Sequence, residues 1–175
     1  MPPKPVAFLL GSLLLCTPLT AGAQDPVEVP MQRSGAATFN VPVVLGGSVS
    51  GEFLVDTGSS HMAIRESTLR ELQKAGHARF VKNLAGRMAD GSRQVVPIYR
   101  IDRIRIGERC TLEEVEAAVF PDSARPILGL SALRRAAPFR FSTEPPALVL
   151  DRCDGPRTAR ADGRTLAHSG GEDHQ

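Results

Sequence analysis

Tryptophan is missing from this chain, tyrosine occurs once, and none of its three cysteines stands in a Cys-x-x-Cys pair. Without such a pair, and with His61, His77, His168 and His174 in no ligand pattern, no metal centre is expected, and no cofactor either. Acidic and basic residues are interleaved and sum to +2, which leaves nothing that calls for nucleic acid as a partner. Long hydrophobic runs are also lacking. The apolar run from Val6 to Leu19 is shorter than the roughly 20 residues of a comfortable membrane-spanning helix. What is there is 175 residues, 42% of them hydrophobic, with 16 glycines and 14 prolines. That is one domain with chain enough for a real core, and its turn formers suit many short strands.

The N-terminal run has the parts of an export signal. Lys4 supplies a positive start, Val6 to Leu19 the apolar stretch, and Ala21-Gly22-Ala23 an A-x-A cleavage site. Residues 1–23 therefore read as a signal peptide and Gln24 as the mature N-terminus, with an uncleaved anchor as the alternative. Cys16 does not mark a lipoprotein, because Leu15 stands where a small residue would be expected. Cleavage leaves no stable membrane span and places the protein in the periplasm or outside the cell. It also leaves Cys110 and Cys153, and two remaining thiols in an exported protein most simply pair. Closing so long a loop would stabilise the fold by about 4 kcal/mol, less any strain.

Residues 24–37 are a polar lead-in with one apolar alternation, Val27-Glu28-Val29. Phe39 to Leu45 and Val49 to Val55 read as strands joined through Gly46-Gly47; Pro42, which lacks an N–H, belongs on an unpaired side or at a bulge. Met62-Ala63-Ile64 is a short strand. Thr68 and Glu71 have capping-box spacing, and Leu69, Leu72 and Ala75 make a helical packing stripe ended by Gly76. Asp90-Gly91, between Leu84 to Ala89 and Arg93 to Ile101, is the strongest hairpin signal in the chain. The arginines from Arg100 to Arg109 alternate with isoleucine, the mark of a sheet with one wet face. Leu112 to Phe120 alternates at Val115, Ala117 and Val119, so Glu114 and Glu116 fall on a solvated face rather than into a catalytic cluster with Glu113. Phe139 to Phe141 and Ala147 to Asp151 form a closing hairpin through Glu144-Pro145-Pro146. The domain proper spans residues 38–153, and residues 154–175, polar and without periodicity, read as a disordered tail.

All of this is organised around GEFLVDTGSSHMAIR, Gly51 to Arg65. An apolar strand, Phe53-Leu54-Val55, stops at Asp56, and Thr57-Gly58-Ser59-Ser60 follows as turn chemistry. A carboxylate at the end of a buried strand costs several kcal/mol unless it is hydrogen-bonded or put to use. The turn offers backbone N–H groups and the hydroxyls of Thr57, Ser59 and Ser60 as donors. A carboxylate held this way, without a cation, suits acid/base work on water. A second apolar segment, Pro126-Ile127-Leu128-Gly129, runs into a short helical stretch, Leu130 to Leu133.

These two motifs, in this order and with a hairpin between them, resemble the retropepsin-like, single-domain aspartic proteases. The resemblance covers about residues 38 to 153. It implies an all-β acid-protease barrel with one or two short helices, and hydrolysis of peptide bonds by an activated water. Asp56-Thr57-Gly58 matches the catalytic triplet, and Ser59 stands where the family has Ser or Ala. The hairpin is implied to be a flap that closes over an extended peptide, with Met88, Ala89, Asp90, Gly91 and Ser92 at its tip. The single tyrosine, Tyr99, lies well past that tip, so a family-type tyrosine contact is not matched. Gly129 is implied to pass beside the catalytic turn, where a side chain would collide. The lead-in is implied to add a strand to a sheet edge or to a partner subunit; on its residues alone it equally reads as a tail. His61 departs from the small or apolar residue usual in the family and reads as pointing to solvent. Because Asp90-Gly91 and Asp154-Gly155 lack the intervening hydroxyl, the chain has one such triplet, and the second catalytic carboxylate must be Asp56 of a homodimer partner. The competing reading on the same fold is a peptide-binding or dimerisation module that does not cleave.

Overall fold

The computed structural model describes residues 25–87 and 91–154. The expected signal segment, the tip residues Met88, Ala89 and Asp90, and all of the expected tail except Asp154 lie outside the described residues. Eleven strands and two short helices are present, in the order β1 (Val27–Pro30), β2 (Gln32–Ser34), β3 (Thr38–Leu45), β4 (Val49–Val55), β5 (Met62–Arg65), α1 (Glu66–Lys74), β6 (Ala78–Arg87), β7 (Arg93–Ile106), β8 (Cys110–Phe120), β9 (Ile127–Leu128), α2 (Leu130–Leu133), β10 (Phe139–Thr143) and β11 (Pro146–Leu150). The fold is all-β and barrel-like. Eight strands run β2-β3-β4-β9-β5-β8-β7-β6, and β3 also pairs with β7, which curls the sheet onto itself.

Alternation decides which side chains the closed sheet encloses. Val41, Val43 and Leu45 on β3, Ile101, Ile104 and Ile106 on β7, and Leu112, Val115 and Ala117 on β8 are buried together in the main core. The β3–β4 hairpin turns at Gly46 and Gly47, both at positive φ, as their pairing predicts. Pro42 falls between the end of the β2 pairing at Asn40 and the start of the β7 pairing at Val43. That gap is where a residue without an N–H costs no ladder bond.

Four expectations need correction. The helix does not start at a Thr68 capping box: it begins at Glu66, Arg65 is its N-cap, and the Arg65 side chain makes no capping hydrogen bond. Its free Ser67 N–H instead donates to Asp122 Oδ1 at 2.8 Å, from a loop far away in sequence. The first strand of the β6–β7 hairpin runs over Ala78–Arg87 rather than beginning at Leu84, and its last described register pair is Arg87 with Arg93. The packed unit starts before residue 38: β1 pairs along β11, β2 pairs with β3, and Val29 and Met31 are buried in the core. The lead-in is thus a sheet edge, added to the chain's own C-terminal hairpin in the order β1-β11-β10. Finally, the charged face of β6, β7 and β8 is cross-linked by ion pairs rather than merely solvated. Arg100 holds Glu116 at 2.9 Å, Lys82 stands 3.7 Å from the same carboxylate, and Arg79 pairs with Asp102 and Glu114.

Cys110 at the start of β8 and Cys153 beyond β11 form a disulfide. It fastens the C-terminal hairpin to the barrel, beside a bond from Glu113 N–H to Asp154 Oδ2 at 2.9 Å. Among the described residues, no helix is long and apolar enough to cross a membrane.

Candidate active site

β4 delivers Asp56. It runs parallel to β9, pairing Leu54 with Ile127 and Val55 with Leu128, while Ala63 of β5 pairs with Ile127 from the other side. The chain therefore leaves β4, turns through residues 56–61, and returns as β5 across the intervening β9. Two hydrogen bonds lock the strand tip to β9: Leu54 N–H to Pro126 O at 3.0 Å and Asp56 N–H to Leu128 O at 3.2 Å.

Gly129 is needed at this crossing for a steric reason. A Cβ there would stand 2.2 Å from His61 O and 2.9 Å from Ser59 O, both backbone atoms that cannot swing aside. The expected collision is real, and it involves the returning arm of the turn just after the triplet.

The turn holds its carboxylate with fewer donors than expected. Gly58 N–H donates to Asp56 Oδ1 at 2.8 Å; among the described residues no hydroxyl does. Ser59 Oγ donates to His61 O at 2.7 Å, so this residue, which also lines the cleft, braces the turn. Thr57 is exposed and makes no hydrogen bond among the described residues. Asp56 itself is half-buried and, among the described residues, pairs with no cation.

Two residues of the site were not legible as such. Ser131 at the start of α2 receives Met62 N–H at 2.8 Å and donates to Glu116 O at 2.7 Å, joining α2, β5 and β8 through one hydroxyl. A serine directly after the crossing glycine and one leucine was the signal available. His61 is the other. It is half-buried and lines a cleft of about 450 Å³ between the turn and the β6–β7 hairpin.

That cleft has Gly58 to His61 as one wall and Leu84, Val96, Ala118 and Phe120 as its floor. The β6–β7 hairpin projects beside it. β7 pairs with β8 only as far as Ile98, so Arg93 to Pro97 have β6 as their one strand partner among the described residues. Gly91 and Ser92 are exposed at the far end of this arm. Another hollow of about 410 Å³, lined by His77, Asp102 and Glu113 among others, includes no residue of the Asp56 turn. Among the described residues no three His, Cys, Asp or Glu side chains converge as metal ligands.

Near the cleft, the Arg100 hydrogen bond holds the Glu116 carboxyl below its ordinary value against the opposing effect of burial, with Lys82 assisting. In the loop after β8, Asp122 is also lowered, first by the Ser67 backbone N–H.

The sequence matches a family model described as aspartyl protease over residues 41–132, a span that runs from β3 through the Asp56 turn and the flap to Gly129 and α2. Among solved structures, a retropepsin-like aspartic protease from Rickettsia conorii is similar, with a TM-score of 0.51 and 20% identity over 71% of this chain and 89% of that one. At that identity the likeness speaks for the fold. No match was found among curated proteins.

Proposed function

Because this chain belongs to the aspartyl protease family, we propose that it is an endopeptidase whose water-activating centre combines two Asp56 carboxylates, one from each subunit of a homodimer. The observation that carries this reading is the state of Asp56. It is a half-buried carboxylate at a strand tip, held by one backbone N–H and paired with no cation among the described residues. No described hydrogen bond joins it to a second carboxylate, and one carboxylate cannot be both base and acid at the same moment. A two-fold axis beside the turn would bring in the second. The exposed, unbonded Thr57 hydroxyl is then available to brace the partner's turn.

In that centre one Asp56 is charged and takes a proton from the water while the other, neutral, donates its proton to the scissile carbonyl oxygen. Water oxygen bonds to the carbonyl carbon, giving a tetrahedral diol. Its collapse breaks the C–N bond as a proton reaches the amine. The two carboxylates share one proton around the water. The disulfide supports an oxidising compartment, consistent with export to the periplasm or beyond.

Hydrolysis of an unfolded protein substrate, with cleavage sites read by mass spectrometry, tests the reading. Asp56→Asn should lower the rate by about 10³-fold or more while keeping the fold, since the amide has the shape but cannot take the proton. Specific activity should rise with protein concentration through the dimer dissociation constant, and excess Asp56→Asn should poison the wild type. A normal rate from Asp56→Asn removes the assignment. Full activity in a sedimenting monomer removes the dimer. Binding of peptides without cleavage would favour a binding module on the same fold.

A further inference from the structure

The cleft beside Asp56 has two kinds of wall. Its floor is apolar and fixed. Leu84, Val96, Ala118 and Phe120 belong to a second core cluster around the fully buried Ile98. Ile98 and Ala118 are paired across β7 and β8, while their neighbours Tyr99 and Ala117 pack with the main core, so the floor is the opposite face of the same sheet.

In the other wall the polar groups divide. Ser59 turns its hydroxyl onto His61 O and is occupied there. The His61 ring makes no hydrogen bond or ion pair with any described residue, although the side chain is half-buried in the wall. Glu116 lies within its electrostatic reach but is already held by Arg100 and Lys82. A ring N–H beside an apolar floor, with no partner in the described chain, is a donor waiting for an acceptor.

We propose that His61 is a specificity-determining residue, and that this cleft takes a substrate side chain with an aliphatic stem and an oxygen acceptor at its tip, glutamine or glutamate. The stem lies on the Leu84–Val96–Ala118 floor and the tip accepts the His61 N–H. The proposal rests on the reading of this cleft as part of a protease substrate groove. A side chain of equal length without an oxygen, methionine, would desolvate the imidazole N–H and leave it unpaired, which is how a polar site rejects an apolar isostere.

Binding and cleavage are measured separately. Peptides carrying Gln, Glu, Met or Leu at each position in turn are titrated onto the Asp56→Asn protein with the His61 ring signals followed by NMR, and the same peptides are given to wild type. At one position Gln or Glu should bind at least about 10-fold more tightly than Met and shift the ring signals. Glu ahead of Gln marks a protonated ring as donor, and the reverse a neutral one; either sustains the proposal. His61→Leu should abolish the ratio, and His61→Asn, which keeps an N–H donor, should restore most of it. Met bound as well as Gln at every position, a preference that survives His61→Leu, or no binding of any peptide overturns it. Selective binding without cleavage by wild type leaves the subsite standing and removes the protease reading instead.

Discussion

Beneath Asp56 the chain is tied on every side, while the arm beside the cleft is tied on one. The turn is flanked by β4, β9 and β5, and Ser131 and the Leu130 N–H, which donates to Ser59 O at 2.9 Å, pin its return to α2. Among the described residues, the strand pairing of the outer part of the β6–β7 hairpin is its own ladder. A bulge between Phe80 and Lys82 interrupts that ladder, and Pro97 supplies no N–H just where β7 parts from β8. In the proposed dimeric protease, a carboxylate that meets its partner to within a fraction of an ångström calls for the first kind of construction. In the same proposal, a segment that admits and covers a peptide calls for the second.

The largest effect that could break this contrast comes from Gly129→Ala. A Cβ 2.2 Å from a backbone carbonyl oxygen forces the crossing strands apart, and about 4 kcal/mol or more should be lost. Thermal melting and soluble yield read it. The comparison sharpens with Gly91→Ala on the arm, where no atom lies within 4 Å of the added Cβ and the cost is that of a positive φ alone, about 1 kcal/mol. Equal losses at the two glycines would mean the crossing is no stiffer than the arm.

Next in size is the Cys110–Cys153 bridge. It joins the start of β8 to the segment after the C-terminal hairpin. Replacing both cysteines with serine should cost about 3 kcal/mol, visible as a lower melting temperature under oxidising conditions and no further drop on reduction. Cleavage at a temperature well below melting should be unaffected, because the crossing is braced from within the barrel. A matching loss of activity in the folded double variant would show that the C-terminal hairpin helps set the site.

A third test acts on the arm. Gly91→Val places a β-branched residue at φ +83°, in a part of the hairpin with no packing around it. Stability should fall by about 1 kcal/mol, whereas kcat/KM should fall by about 10-fold because the tip no longer closes over peptide. Unchanged turnover would mean that this hairpin does not cover the site.

The same contrast explains what could be read ahead of the structure. The turn after β4, the close crossing at Gly129 and the existence of the β6–β7 hairpin are marked by residues whose backbone demands are local, so spacing and turn chemistry pointed to them. The partners that stiffen the crossing are not local. That Ser131 would link Met62 to Glu116, or Asp122 cap α1 in place of Thr68, depends on loops brought together only by the closed sheet. The fate of Val27 to Ser34 was open for the same reason, since its alternation is too short to name a partner and β11 lies at the other end of the chain. That His61 would line a cleft was not legible, because nothing near it in sequence announces the apolar floor across the cleft.

The smallest expected effect joins the two regions. Glu116 sits on the braced side, yet its carboxylate reaches Lys82, just past the bulge at the root of the arm, as well as Arg100. The Arg100 hydrogen bond holds its folded-state pKa below the ordinary 4.5. A lowered carboxylate pKa contributes stability that is fully present above about pH 4.5 and is lost as pH falls through the folded value. The side chain is 25% exposed, so the contribution is small, about 0.5 kcal/mol, or about 2 °C in Tm. Melting wild type and Glu116→Gln at pH 7 and at pH 3 isolates it: the variant should start slightly lower at pH 7 and converge on wild type in acid. Hydrogen exchange adds the location, because protonation releases Lys82 and should speed exchange in residues 82–87 more than in residues 62–65. Convergence without that local change would assign the pair to the sheet alone. A gap that widens in acid would reverse the sign and remove Glu116 as the link between crossing and arm.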